Sequence, residues 1–133
     1  PVVVAVDPQM RVSGTKIMAQ TVRPSRTFLL EVRSRLRGGR LVCAMPDRWE
    51  HQEGRTIEFA TANGPVIIAT PLMHLAARCG AEVLFVATRF DGRGVAANFA
   101  APAPESAGSA DAITRDFIEF VRAHVEERSA RYS

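Results

Sequence analysis

Residues 38–90 read GGRLVCAMPDRWEHQEGRTIEFATANGPVIIATPLMHLAARCGAEVLFVATRF. The run Leu41–Met45 is apolar and predicts a central strand, stopped by Pro46. A polar loop follows, holding Asp47, Arg48, Glu50, His51 and Glu53 around the lone Trp49. Thr56–Ala60 alternates like a strand, Asn63-Gly64 is a turn signal, and Val66–Ala69 completes a predicted hairpin. Pro71 suits the first turn of a helix over Leu72–Arg78, with Thr70 as its cap and Gly80 as its stop. Glu82–Phe90 reads as a further apolar strand. Strands alternating with helices predict a single α/β domain with a mixed, mostly parallel sheet flanked by helices. Ligands in such folds sit at the carboxyl ends of strands, so the loop after Met45 is the expected place for chemistry.

The elements on either side extend this pattern. Pro1–Asp7 is a β-branched run ended by Asp7-Pro8, and a short strand is predicted around Lys16–Ala19. Ser25 is a candidate N-cap for a helix carrying Phe28, Leu29, Val32 and Leu36, stopped by Gly38-Gly39. The opposite face of that helix holds Arg26, Arg33, Arg35 and Arg37. After Phe90, a turn at Asp91–Gly94 and a strand over Val95–Ala100 predict a second hairpin. Residues 101–110 form a Pro/Ala/Gly/Ser connector, expected at the surface. Asp111–Arg128 is predicted as the last helix, capped by Asp111, with Ile113, Phe117, Phe120, Val121, His124 and Val125 as its apolar stripe.

The chain has 133 residues, 47% of them apolar, which suits one domain with one core over residues 1–133. No apolar run reaches the length of a membrane span. Val2–Val6 is too short for a signal-peptide core, so a cytoplasmic protein is expected, or one lying on the inner face of the cell membrane. The formal charge is +3, and arginine supplies all basic residues except Lys16. Arginine suits bidentate contacts to phosphate or carboxylate, although arginine-rich coding explains the bias equally. So small an excess does not call for a nucleic-acid partner, and none is expected. Cys43 and Cys79 are isolated, form no CxxC pair, and read as reduced core residues rather than metal ligands. No cofactor is expected.

Two segments carry a resemblance: LRGGRLVCAMPDR at residues 36–48 and LAARCGAEVLFV at residues 75–86. In the order basic helix, Gly-Gly, strand, Pro-Asp, polar loop, hairpin, helix, strand, hairpin and helix, the chain resembles the C-terminal half of the bacterial lysophospholipid acyltransferase-like family. That family includes lipid A lauroyl/myristoyl and phosphatidylinositol mannoside acyltransferases. The resemblance runs from Thr27 to Glu126. It implies acyl transfer from acyl carrier protein or acyl-CoA to a hydroxyl of a lipid or glycolipid acceptor. The family's general base lies in a His-x4-Asp/Glu motif, and none occurs here. The fifth residue after His51, His74 and His124 is Thr56, Cys79 and Ser129 respectively. The family's frequent proline is also replaced, by Phe85 or Ala87.

The candidate site residues follow from the loop and the resemblance together. Asp47 and Arg48, just past a strand end, are expected to hold the loop and contact a phosphate or glycolipid headgroup. His51 with Asp47, Glu50 or Glu53 is a candidate base and orienting carboxylate. Trp49 is a candidate anchor for an acyl chain or interface. Arg89, Arg93 and the arginines of the 26–37 helix are expected on an electropositive rim for anionic lipid. Each also reads as an ordinary loop or surface residue. A non-catalytic domain that binds lipid, or that joins a second subunit or a second copy of itself, is an alternative. So is a small isomerase using Pro1 as its base.

Overall fold

A computed structural model describes residues 3–5, 20–21, 27–48, 55–90 and 92–132, with side chains described for 27–47, 55–90 and 92–128. Three short strands, β1 (Val3–Ala5), β2 (Gln20–Thr21) and β3 (Leu41–Cys43), pair in parallel in the order β2-β1-β3. Two hairpins follow: β4 (Thr56–Thr61) with β5 (Gly64–Ala69), and β6 (Phe85–Phe90) with β7 (Val95–Ala100). The helices are α1 (Phe28–Arg37), α2 (Pro71–Cys79) and α3 (Ala110–Tyr132).

This overturns the expectation of an α/β domain built on one mixed, mostly parallel sheet. The strands fall into three separate sheets, and no ladder joins them among the described residues. Two physical reasons are visible. β3 pairs over only three residues before Ala44, Met45 and Pro46 leave the ladder. β6 gives its six ladder positions to β7 and alternates between shielded and exposed side chains. That alternation belongs to a strand with one covered face, not to a central parallel strand covered on both.

The core lies between the helices and the hairpins. Phe28 and Val32 of α1 are buried against Leu72 and Leu75 of α2 and Val42 of β3. Met73 of α2, Phe85 of β6 and Ile113 of α3 form a second cluster with Phe117 and Phe120. Leu72 touches both clusters and joins them. The Phe85 ring meets Phe117 at 5.2 Å and Phe120 at 5.7 Å between centroids, tilted as aromatic quadrupoles prefer.

Local chemistry explains where the elements stop. Gly80 ends α2 at φ 60°; its N–H bonds to Ala77 O at 3.3 Å, and the N–H of Ala81 reaches Ala76 O at 3.0 Å. This is a Schellman closure, which needs a left-handed residue. Thr70 precedes α2 but its hydroxyl does not cap the helix. It donates to Arg55 O at 3.1 Å and so ties α2 to the start of β4. The predicted cap Asp111 lies inside α3; the hydroxyl of Ser109 instead accepts the Ala112 N–H at 3.2 Å. The connector is not wholly superficial, because Ser106 is fully buried in a 3-10 turn at Pro104–Ser106. The expected strand at Lys16–Ala19, the Ser25 cap and Pro1 lie outside the described residues.

Candidate functional site

β3 leads through Ala44 and Met45 into a 3-10 turn at Pro46–Arg48. Proline fixes the turn's first φ and lends no N–H, so the chain leaves the sheet here. The turn sits beside β5. In the β4–β5 register, Thr56 faces Ala69, Glu58 faces Ile67 and Ala60 faces Pro65. Cross-strand partners share a face, so these six side chains form one side of the hairpin. The other side carries Phe59 and Ile68, both buried.

Between the turn and the hairpin's outer side runs an open groove of about 470 Å³, lined by Pro46, Asp47, Thr56, Pro65, Val66, Ile67 and Ala69. One wall is thus aliphatic. Among the described residues, the only ionisable lining residue is Asp47, whose side chain is exposed. An ionised carboxylate accepts hydrogen bonds and donates none. The groove therefore offers a hydroxyl- or ammonium-accepting group next to a surface that suits an alkyl segment.

The other expected site residues are distributed differently. Arg48 follows Asp47 in the same turn. Trp49 and His51 lie outside the described residues. Arg89 does not line the groove. It points from the inner side of β6 toward α3, and its Nη1 pairs with Glu127 Oε1 at 3.3 Å. Its Nε is buried and finds no hydrogen-bond partner among the described residues, and the same holds for Nδ1 of His124 on α3. Arg93 is exposed in the β6–β7 turn. Sequence reasoning did not find the β5 wall. Pro65 and the Ile67-Ile68 pair were the signals: one isoleucine of two neighbours in a strand must face outward.

Three further groups bear on chemistry. Burial pushes the Cys43 thiol up, which keeps it protonated and poorly nucleophilic. Asp116 accepts the Ser106 hydroxyl at 2.6 Å and the Ala103 N–H at 3.1 Å. These bonds, the Ser106 hydroxyl first, hold its carboxyl below the usual carboxylate range. Among the described residues no three His, Cys, Asp or Glu side chains converge as a metal site. Among the same residues no helix is long and apolar enough to cross a membrane.

Compared with protein-family models, with curated proteins and with solved structures, the chain matches none.

Proposed function

We propose that this chain is the acceptor-holding domain of a lipid acyltransferase-like system. It binds an amphiphile in the groove beside Asp47, with the alkyl segment along Pro65 and Ile67 and a headgroup hydroxyl on the carboxylate. The observation that carries this reading is the pairing of one carboxylate with one aliphatic wall in a single open groove. In the reaction, the acceptor hydroxyl attacks the thioester carbonyl of acyl carrier protein or acyl-CoA. The thiol leaves, and the hydroxyl proton passes to a base. No His-x4-Asp/Glu motif occurs in these 133 residues, so their own part is to bind and orient the acceptor, and the base lies outside them.

Peripheral attachment to an anionic membrane belongs to the same reading. The outer side of α1 presents exposed Leu30, Arg33 and Arg37, one turn apart from each other. Arg35 is set against Glu31 at 3.7 Å on the same helix. Exposed arginines beside an exposed leucine support contact with lipid headgroups at the inner face of the cell membrane.

Titration calorimetry with a lysophospholipid below its micelle concentration tests the groove. Asp47→Ala and Ile67→Asp should each weaken binding by about tenfold or more, since a charge-assisted hydrogen bond and a buried alkyl contact are each worth at least that. The glycerophosphodiester headgroup without its acyl chain should bind far more weakly. Equal affinity in wild type and both variants would overturn the groove as the binding site. Acyl transfer by this chain alone would overturn the claim that the base comes from elsewhere.

A further inference from the structure

We propose that the outer side of the β6–β7 hairpin is a self-association surface, on which two copies of this chain stack face to face into a four-stranded sandwich. The proposal is independent of the groove beside Asp47. In the hairpin register, Val86 pairs with Phe99, Thr88 with Ala97 and Phe90 with Val95. All six side chains lie on one side, and all six are exposed. The other side carries Phe85, Ala87 and Arg89, which turn toward α3 and the core.

The outer side is unusual in what it exposes. Val86 is 50% exposed, Phe99 62%, Phe90 69% and Val95 72%, and Leu84 just before β6 is 60% exposed. Together they leave on the order of 500 Å² of apolar surface on one small sheet face, at the upper end of what a monomer shows to water. Two such faces in contact remove about 1,000 Å² in all, the area from which a specific interface begins.

Charge and shape both favour a second copy as the occupant. None of the six positions is charged, so stacking the face on itself buries no charge and opposes no like charges. A bilayer that recruits by anionic headgroups finds nothing to attract it on this face. A two-fold axis sets the same patch on both copies, which requires a patch complementary to itself. The middle row, Thr88 with Ala97, is small, and the end rows hold Phe99 and Phe90. Two sheets packed about 10 Å apart then leave room over the small row of one copy for a phenylalanine of the other. The sandwich also covers the apolar side that the two-stranded sheet leaves open.

Sedimentation equilibrium of the full chain across a wide concentration range tests this. The expected result is a reversible dimer of twice the 14.5 kDa chain. Phe99→Asp should raise the dimer dissociation constant by about tenfold or more, because an unpaired charge is then buried within the contact. Ala97→Arg tests the middle row with a side chain that touches no core residue, and should act in the same direction. Leu30→Asp, on α1, should leave the dimer intact. Circular dichroism of each variant confirms that it is folded. A wild-type chain that stays monomeric throughout would overturn the proposal, as would a dimer indifferent to both hairpin variants. A monomer whose binding to neutral phosphatidylcholine vesicles is lost in Phe99→Asp would assign the face to a bilayer instead, and would equally overturn it.

Discussion

Asp116 ties an irregular segment to a helix with one carboxylate. Its Oδ2 takes the Ser106 hydroxyl and the Ala103 N–H, and Arg115 Nε stands 4.0 Å from Oδ1. All three favour the charged form, so the folded state holds the carboxyl below its ordinary value of 3.8. A depressed carboxylate contributes stability that is fully present above that ordinary value. The contribution is lost as pH falls through the lower folded value. Asp116→Asn should therefore melt lower than wild type at neutral pH, and the gap should close below the ordinary carboxylate range. Thermal melts of both chains from neutral to strongly acidic pH check this; a constant gap would show that the charge is irrelevant. Ser106→Ala, which removes a fully buried hydroxyl, should cost about 1 kcal/mol in urea unfolding. None of this was legible in the sequence, because the carboxylate and its partners are ten and thirteen residues apart. Ser109 and Asp111 are equally good caps by type, and only the geometry decides for Ser109.

Elements were legible in the sequence wherever their ends are set by local chemistry. Gly38-Gly39 stops α1, Asn63-Gly64 turns β4 into β5, and Gly80 closes α2, all as their residue types predict. The Gly80 closure is also the sharpest test at this scale. A Cβ built there meets nothing within 4 Å among the described residues, so Gly80→Ala is opposed by backbone conformation at φ +60°. The left-handed residue should cost about 1–2 kcal/mol in chemical denaturation, with no change in the folded structure. A stability equal to wild type would mean that α2 can end without the Schellman bonds. What was not legible is how the strands combine. Leu84, Val86, Phe90, Val95 and Phe99 make the second hairpin apolar on both sides, which reads as a strand buried between two layers. Among the described residues only the inner side is covered. Sheet membership depends on distant partners, and apolarity alone does not say whether the covering layer is in the same copy.

The whole molecule brings together three surfaces of different chemistry: the acidic, aliphatic groove at Asp47, the neutral face of β6–β7, and the basic outer side of α1. The position of Asp47 was legible, since a strand stopped by proline puts the next residue at a strand end. The groove was not, because its wall exists only once β5 folds back beside the turn. The α1 surface gives the prediction that separates the three. Arg33 and Arg37 are exposed on its outer side, and Arg40 is half-buried just beyond the helix end. Near an anionic bilayer each arginine is worth about 1 kcal/mol. Reversing two charges should therefore weaken binding by more than about tenfold, since attraction becomes repulsion. In vesicle co-sedimentation, the chain should bind phosphatidylglycerol-containing vesicles and leave pure phosphatidylcholine vesicles in solution. Binding should fall as salt rises, because the screening length shortens from about 10 Å at 0.1 M to about 3 Å at 1 M. Arg33→Glu with Arg37→Glu should lose the vesicles but keep the lysophospholipid affinity of the groove and the mass of the dimer. Phe99→Asp should do the reverse, splitting the dimer while the vesicles still bind. If binding proves indifferent to salt and to the α1 charges, attachment is apolar rather than electrostatic, and the exposed face of β6–β7 becomes the surface that meets the bilayer.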